Sequence, residues 1–117
     1  VLHIFLGLLA AHFIVDYGFQ GDTMAREKSR HSTTALQKHV PWYYWMTAHA
    51  SLHAVCVAAI TGSLLIGVLE LLAHFAIDYG KCERWYNIHA DQAMHLACKA
   101  FWVTLLFCFP EIRASGV

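Results

Sequence analysis

Residues 40–80 read VPWYYWMTAHASLHAVCVAAITGSLLIGVLELLAHFAIDYG, and from Val40 to Leu69 this stretch holds no Asp, Glu, Lys or Arg. One helix running from Trp42 to Gly80 would be about 58 Å long at roughly 1.5 Å per residue, nearly twice the ~30 Å hydrocarbon core of a bilayer. The run must therefore fold back on itself. Thr61-Gly62-Ser63 and Gly67 supply the turn, which predicts one helix over 42–61 and another over 65–80.

Outward from this pair, residues 1–20 form an apolar run interrupted by His3, His12 and Asp16, and a further helix is expected over 88–109, stopped by Pro110. Residues 21–41 are polar, with Arg26, Lys28, Arg30 and Lys38, and are broken by Thr33, Thr34 and Pro41; this is a loop that can carry a surface helix. The expected fold class is all-α: a four-helix transmembrane bundle in a single integral-membrane domain over 1–117. Composition agrees. Of 117 residues 58% are hydrophobic and 14% charged, against roughly 25% charged in an ordinary soluble domain. Formal net charge is zero, so no basic field points to nucleic acid. Cys56, Cys82, Cys98 and Cys108 form no C-x-x-C pair and are read as free thiols rather than a disulfide framework. Residues 1–20 lack a basic start and carry Asp16 where a signal peptidase site would be small and neutral, so they are read as a retained span. Val1 in place of Met leaves room for an initiator or short leader before it.

Four crossings put the loops after the first and third helices on one side. Those loops carry Arg26, Lys28, Arg30, Lys38, Lys81 and Arg84, whereas the turn between helices two and three carries no Lys or Arg. The excess of Lys and Arg in cytoplasmic loops predicts a multi-pass protein of the bacterial inner membrane with its basic loops inside. Trp42, Tyr43, Tyr44, Trp45, Trp85 and Tyr86 fit an interfacial aromatic belt on that side.

The octapeptide Ala11-His-Phe-Ile-Val-Asp-Tyr-Gly18 recurs as Ala73-His-Phe-Ala-Ile-Asp-Tyr-Gly80, identical at six of eight positions. Each copy precedes a helix with its own pair four residues apart: His49 and His53, then Asp91 and His95. The chain thus reads as two repeated helical hairpins of the parallel type. A spacing of i, i+4 stacks both side chains on one helical face, so each helix can offer two ligands to one interior point. Glu70 and Lys99 extend the same faces by one turn. Ionisable groups within a membrane bundle are costly unless paired or metal-bound. His12, Asp16, His49, His53, His74, Asp78, Asp91 and His95 are therefore the candidate metal ligands. The charges of Asp16, Glu70, Asp78 and Asp91 suggest two divalent ions, with zinc, iron or manganese all compatible with mixed imidazole and carboxylate donors.

A metal-free proton relay or polar packing network accounts for the same pairs, whereas haem needs only axial His and leaves the carboxylates unexplained. Gln20 and Gln92 can serve as donors to the ligands or as capping amides. Tyr17 and Tyr79 read as interfacial anchors, and His3, His31, His39 and His89 lie off the repeat.

In order along the chain, His12-Phe-Ile-Val-Asp16 leading to Gln20, His49-Ala-Ser-Leu-His53, His74-Phe-Ala-Ile-Asp78 and Asp91-Gln-Ala-Met-His95 resemble a family of small phage and bacterial integral-membrane proteins known only as a domain of unknown function. The resemblance covers about residues 3–105 and implies a polytopic inner-membrane protein, phage- or prophage-encoded. More distantly the chain is similar to bacterial membrane-bound metal-dependent hydrolases, though their His-Arg-Gly and Thr-His-Ser signatures are absent here.

The leading expectation is a metal-dependent hydrolase acting on a lipid-linked or phosphorylated substrate at the cytoplasmic face. Glu70 or Asp91 would take a proton, and Lys99 would receive an anionic group. A divalent-metal or proton transporter or sensor is the second class, and a non-enzymatic phage membrane effector the third. Gly7, Gly62 and Gly67 are candidate close-approach points for a homodimer.

Overall fold

The structure is a computed structural model and describes residues 1–114. It is all-helical, with no strand among the described residues. Helix α1 spans Leu2–Phe13 and continues without a break as a π-helical segment, Ile14–Phe19. Short α2 (Asp22–Glu27) and a 3₁₀ turn (Ala35–Lys38) lie within the polar connection. The long helices α3 (Trp42–Thr61), α4 (Leu64–Cys82) and α5 (Ile88–Cys108) follow, and α6 (Glu111–Ala114) is a single turn.

Local chemistry sets these boundaries. Pro41 precedes α3, where its missing N–H costs nothing. The helix closes at Gly62 in the left-handed region, φ 68°, whose N–H bonds Ala58 O at 2.9 Å. Ser63 Oγ then accepts from Ile66 N at 3.3 Å and Asn87 Oδ1 from Ala90 N at 2.9 Å, capping α4 and α5. Pro110 disfavours helical backbone at Phe109, which adopts φ −133° and ψ 70°. The 42–61 helix has the bounds expected; α4 runs past the expected Gly80 to Cys82, and α5 stops one residue short of the expected 109.

Each long helix packs on the next, and α5 returns to α1, so the four form a closed ring. The most intimate pair is α3 with α4, joined by the tight Gly62-Ser63 turn. That pair joins the two copies of the repeat rather than lying within one of them. A Cβ on Gly67 would sit 2.7 Å from Ala58 Cβ and 3.0 Å from Ala54 O, so glycine lets the two backbones touch. Gly7 likewise faces Ile60 Cγ2 at 3.4 Å. Gly62 is the turn residue. Two of the three glycines read as candidate close-approach points for a homodimer, Gly62 and Gly67, thus have a use inside the chain.

The interior is divided along the bundle. Ile4, Leu8, Val57, Ile66, Trp102, Val103 and Leu106 make an apolar core at the end where α1 begins and α3 turns into α4. The other half of the interior is polar and charged, while large apolar side chains such as Leu6, Val55, Leu72 and Phe101 face outward. All four cysteines are free thiols. Among the described residues one helix, Leu2–Phe19, is long and apolar enough to cross a membrane by length and composition. Helices α3, α4 and α5, at 20, 19 and 21 residues, match a span of about 30 Å in length but are not apolar enough by the same measure. Helix α3 carries two His with Trp and Tyr at its start, α4 carries Glu70, Asp78 and Lys81, and α5 carries Asp91 and Lys99. The four-span expectation is therefore met only as far as an all-helical bundle.

Candidate metal centre

Eight ionisable side chains converge from the four long helices: His12 and Asp16, His49 and His53, His74 and Asp78, Asp91 and His95. All are buried; Asp16, at 7% exposure, is the most open. The i, i+4 spacing places each pair on the inner face of its helix, as expected. The first copy of the repeat departs from the second in one respect. His74 and Asp78 lie on regular α-helix, whereas Asp16 lies in the π-helical segment, closed by Gln20 N on Val15 O at 3.1 Å. The extra residue in that turn shifts Asp16 relative to a regular helix, a local departure of the kind that gathers at functional sites.

Asp16, His49, His53 and His74 form the first donor set, with one ligand atom from each lying within 4.8 Å of the others. Asp16 Oδ1 is 2.9 Å from His53 Nε2, 3.2 Å from His49 Nε2 and 3.9 Å from His74 Nε2. His49 Nε2 and His74 Nε2 face each other at 3.3 Å. Ligands at 2.0–2.1 Å from a tetrahedral ion are separated by about 3.3 Å along each edge. Three of these four separations fall near that edge. The His53 and His74 rings stack at 3.7 Å between centroids, which fixes their planes.

Behind His74 stands Glu70, whose Oε1 lies 3.3 Å from Nδ1. Glu70 is in turn held by Lys99 Nζ, and Trp102 Nε1 donates to its Oε2 at 2.6 Å. Both oxygens are engaged, and Lys99 is buried against Glu70. Glu70 is therefore not the free proton acceptor the sequence suggested, and Lys99 is not open to a substrate. Their geometry is that of a carboxylate orienting a ligating histidine.

Gln92 holds the other side. Its Nε2 donates to Asp16 Oδ2 at 3.0 Å and Asp91 Oδ2 at 3.1 Å, two atoms that only accept. Gln92 Oε1 must then accept from His12 Nε2 at 3.0 Å, so His12 can offer an ion only Nδ1. A second donor set comprises Asp78, Asp91 and His95, with His95 Nε2 at 3.1 Å from Asp78 Oδ1 and 3.6 Å from Asp91 Oδ1. His12, His74 and His95 form a third grouping that bridges the two. Among the described residues three buried side-chain atoms have no hydrogen-bond partner: His12 Nδ1, Asp91 Oδ1 and His95 Nδ1.

Sequence reasoning missed two residues of the polar connection. Lys28, just beyond α2, inserts its Nζ to 2.5 Å from Asp78 Oδ2 and 2.6 Å from Gln20 Oε1. Its neighbour Glu27 is buried and accepts from Thr34 Oγ1 at 2.7 Å, from Gln37 Nε2 at 2.8 Å and from Arg26 and Ser32. These bonds, that from Thr34 first, hold the Glu27 carboxyl down to about 2. Arg30 pairs with Glu83 at 2.5 and 2.9 Å, and His31 Nε2 lies 3.1 Å from the same carboxylate. The Arg30 guanidinium holds Glu83 down to about 2, and Glu83 raises Arg30 in return. This ion pair places the two basic loops at one end of the bundle. There Trp42 lies 5.7 Å from Tyr79, and Tyr79 lies 5.9 Å from Trp85, between ring centroids.

No curated protein and no solved structure matches the chain. One family does, over residues 4–111, and its range takes in all four long helices and every residue of the polar centre. Of the expected phage and bacterial integral-membrane family with a distant likeness to hydrolases, the match bears out a family of unknown function and no more: the chain belongs to the family described as Protein of unknown function (DUF3307).

Proposed function

We propose that this chain is a membrane-embedded metalloprotein holding a divalent ion at Asp16, His49, His53 and His74, and that it acts as a hydrolase on a lipid-linked or phosphorylated substrate at the cytoplasmic face. The observation that carries the metal reading is the convergence of Asp16 Oδ1 and three Nε2 atoms, three of whose four separations fall near a tetrahedral edge, with Glu70 behind His74. Mixed imidazole and carboxylate donors suit zinc, manganese or iron, and the absence of thiolate argues only against an iron–sulfur cluster.

Membrane embedding is supported by the inverted interior. Charged and imidazole groups fill half of the bundle, while Leu6, Val55, Leu72 and Phe101 cover its outside. Water favours the opposite distribution, and lipid favours this one. Arg26, Arg30, Lys38, Lys81 and Arg84 at one end, with aromatic residues beside them, support a cytoplasmic orientation of that end.

An ion bound there supplies Lewis acidity to a substrate oxygen and acidifies a water. Asp91 Oδ1, buried and without a hydrogen-bond partner, is the carboxylate available to take the proton. Glu70 and Lys99 orient His74, and Gln92 fixes His12 and Asp16. Substrate would approach beside Asp16, the most exposed donor, under the basic connection 21–41.

The test is elemental analysis of detergent-purified protein beside His49→Ala/His74→Ala, followed by phosphate release from lipid-linked phosphates. One equivalent of a single metal, lost in the variant, with hydrolysis that depends on it, is expected. A folded, metal-free wild type refutes the metal reading; a loaded but inert protein refutes the hydrolase. A transporter reading is favoured by a single observation, the unbroken chain of close contacts His53, Asp16, His49, Asp78, His95. Metal or proton uptake into proteoliposomes, abolished by His74→Ala, would replace the hydrolase with it.

A further inference from the structure

Four carboxylates meet at the centre, and two buried ammonium groups already answer two of them: Lys99 holds Glu70 and Lys28 holds Asp78. Lys99 belongs to the ring of helices. Lys28 does not; it enters from the connection after α2, and its Nζ rests between Asp78 Oδ2 and Gln20 Oε1 at 2.5 and 2.6 Å. A cation seated between oxygen acceptors takes the place that a hard metal ion takes. On the other oxygen of the same carboxylate, His95 Nε2 lies 3.1 Å from Asp78 Oδ1, and Asp78, Asp91 and His95 present buried ligand atoms within 4.8 Å of one another. Asp91 Oδ1 and His95 Nδ1 have no hydrogen-bond partner, although Asp91 is 1% and His95 0% exposed. Lys81 Nζ, at 3.9 Å from Asp91 Oδ2, is beyond hydrogen-bond distance.

We propose that Asp78, Asp91 and His95 are a second divalent-cation site and that Lys28 is a tethered stand-in for its ion. The inference rests on the metal reading of the first donor set. With Lys28 in place, two ammonium groups and one divalent ion balance the four carboxylates. A second ion added beside Lys28 would raise the positive charge two above that of the four carboxylates in a buried site, against one above it once Lys28 has left. The second ion and Lys28 therefore exclude each other. The chain that carries Lys28 is folded on itself by the bonds of Glu27 to Ser32, Thr34 and Gln37 and is fastened to the end of α4 by Arg30 on Glu83. The connection 21–41 thus sets whether the centre holds one ion or two.

The experiment loads the full chain in detergent with excess Zn²⁺, removes free metal and counts zinc per chain. One equivalent is expected in the wild type, two in Lys28→Met, and one again in Lys28→Met/Asp91→Asn. One equivalent in both wild type and Lys28→Met overturns this proposal alone, whereas none in the wild type overturns the first metal site and this one with it. A measurement on the unaltered protein guards against a Lys28→Met chain that does not fold. Acetylation of lysine amines, read by mass spectrometry during a Zn²⁺ titration, should leave Lys28 protected at one equivalent and label it as the second binds. Lys28 that stays protected while a second equivalent binds overturns the stand-in, and so does a titration that ends at one equivalent.

Discussion

His74 Nδ1 lies 3.3 Å from Glu70 Oε1, one helical turn earlier on α4, and this contact decides which ring nitrogen faces the centre. An ionised carboxylate only accepts, so Nδ1 carries the proton and the Nε2 lone pair points at His49 and Asp16. Glu70 can hold that position because Lys99 neutralises it and Trp102 donates to its second oxygen. Trp102 also belongs to the apolar core, so the orientation of a candidate ligand is anchored in the packed end of the bundle.

Glu70→Gln keeps the shape of this support and removes its charge. Loss of the partner behind a ligating histidine weakens metal binding by about 10–100-fold. Competition with a coloured chelator should read that loss, with helicity unchanged. Lys99→Met instead leaves Glu70 charged and buried without its counter-ion, at a cost of about 3–5 kcal/mol in stability. Glu70→Gln strands the buried Lys99 ammonium in the same way, so denaturant unfolding in detergent should show both variants destabilised, and equal metal affinity in wild type and Glu70→Gln would show that Glu70 has only a packing role.

Gly67 marks where α3 and α4 touch. A Cβ there would lie 2.7 Å from Ala58 Cβ and 3.0 Å from Ala54 O, and backbone cannot give way as a side chain can. Gly67→Val should therefore cost about 1–3 kcal/mol through overpacking. Gly21→Ala, with nothing within 4 Å of the added carbon, is the control and should change stability by less than about 0.5 kcal/mol.

Sequence and structure part company in the connection rather than in the helices. Four helices were readable because apolar runs bounded by Pro41, Gly62 and Pro110 leave few alternatives, and because pairs such as His49 and His53 keep a helical spacing that fixes a shared face. The π-helical segment around Asp16 was not readable, since the repeat there is nearly identical to the regular helix around Asp78. Lys28 was hidden for another reason. Loop residues have no periodicity to say where they point, so a lysine that turns inward reads the same as one in solvent. Gly67 carried a real signal of close approach, but the sequence could not say whether the neighbour was this chain or a second copy.

The fastening of the connection should depend on pH. Glu27 and Glu83 are both held down to about 2 from an ordinary value of 4.5, by Thr34 and Arg30 foremost. A depressed carboxylate contributes stability that is present above its unfolded value and lost as pH falls through the folded one. Protection of residues 21–41 should thus be complete above about pH 4.5 and decline toward pH 2. Hydrogen exchange corrected for intrinsic rates would read it, with α3 as reference. Glu83→Gln should loosen the connection already at neutral pH and flatten the dependence. A profile unchanged in that variant would mean the Arg30 contact fastens nothing.

The outward apolar face gives the sharpest test of the surrounding medium. Val55 is 67% and Leu72 63% exposed, and each sits mid-helix on the outside of the ring. If these side chains face lipid, Val55→Lys or Leu72→Lys places a charge near the middle of the hydrocarbon at about 2.5–3.5 kcal/mol each. If they face water, the same changes at exposed positions cost within about 0.5 kcal/mol and improve solubility. The two media therefore predict opposite behaviour from one substitution. Membrane fractions extracted with alkaline carbonate should retain the wild type and show reduced accumulation of both variants, with the double variant affected most. Wild type released by carbonate, together with variants that fold and dissolve better, would place the bundle in water and make the polar centre the core of a soluble protein.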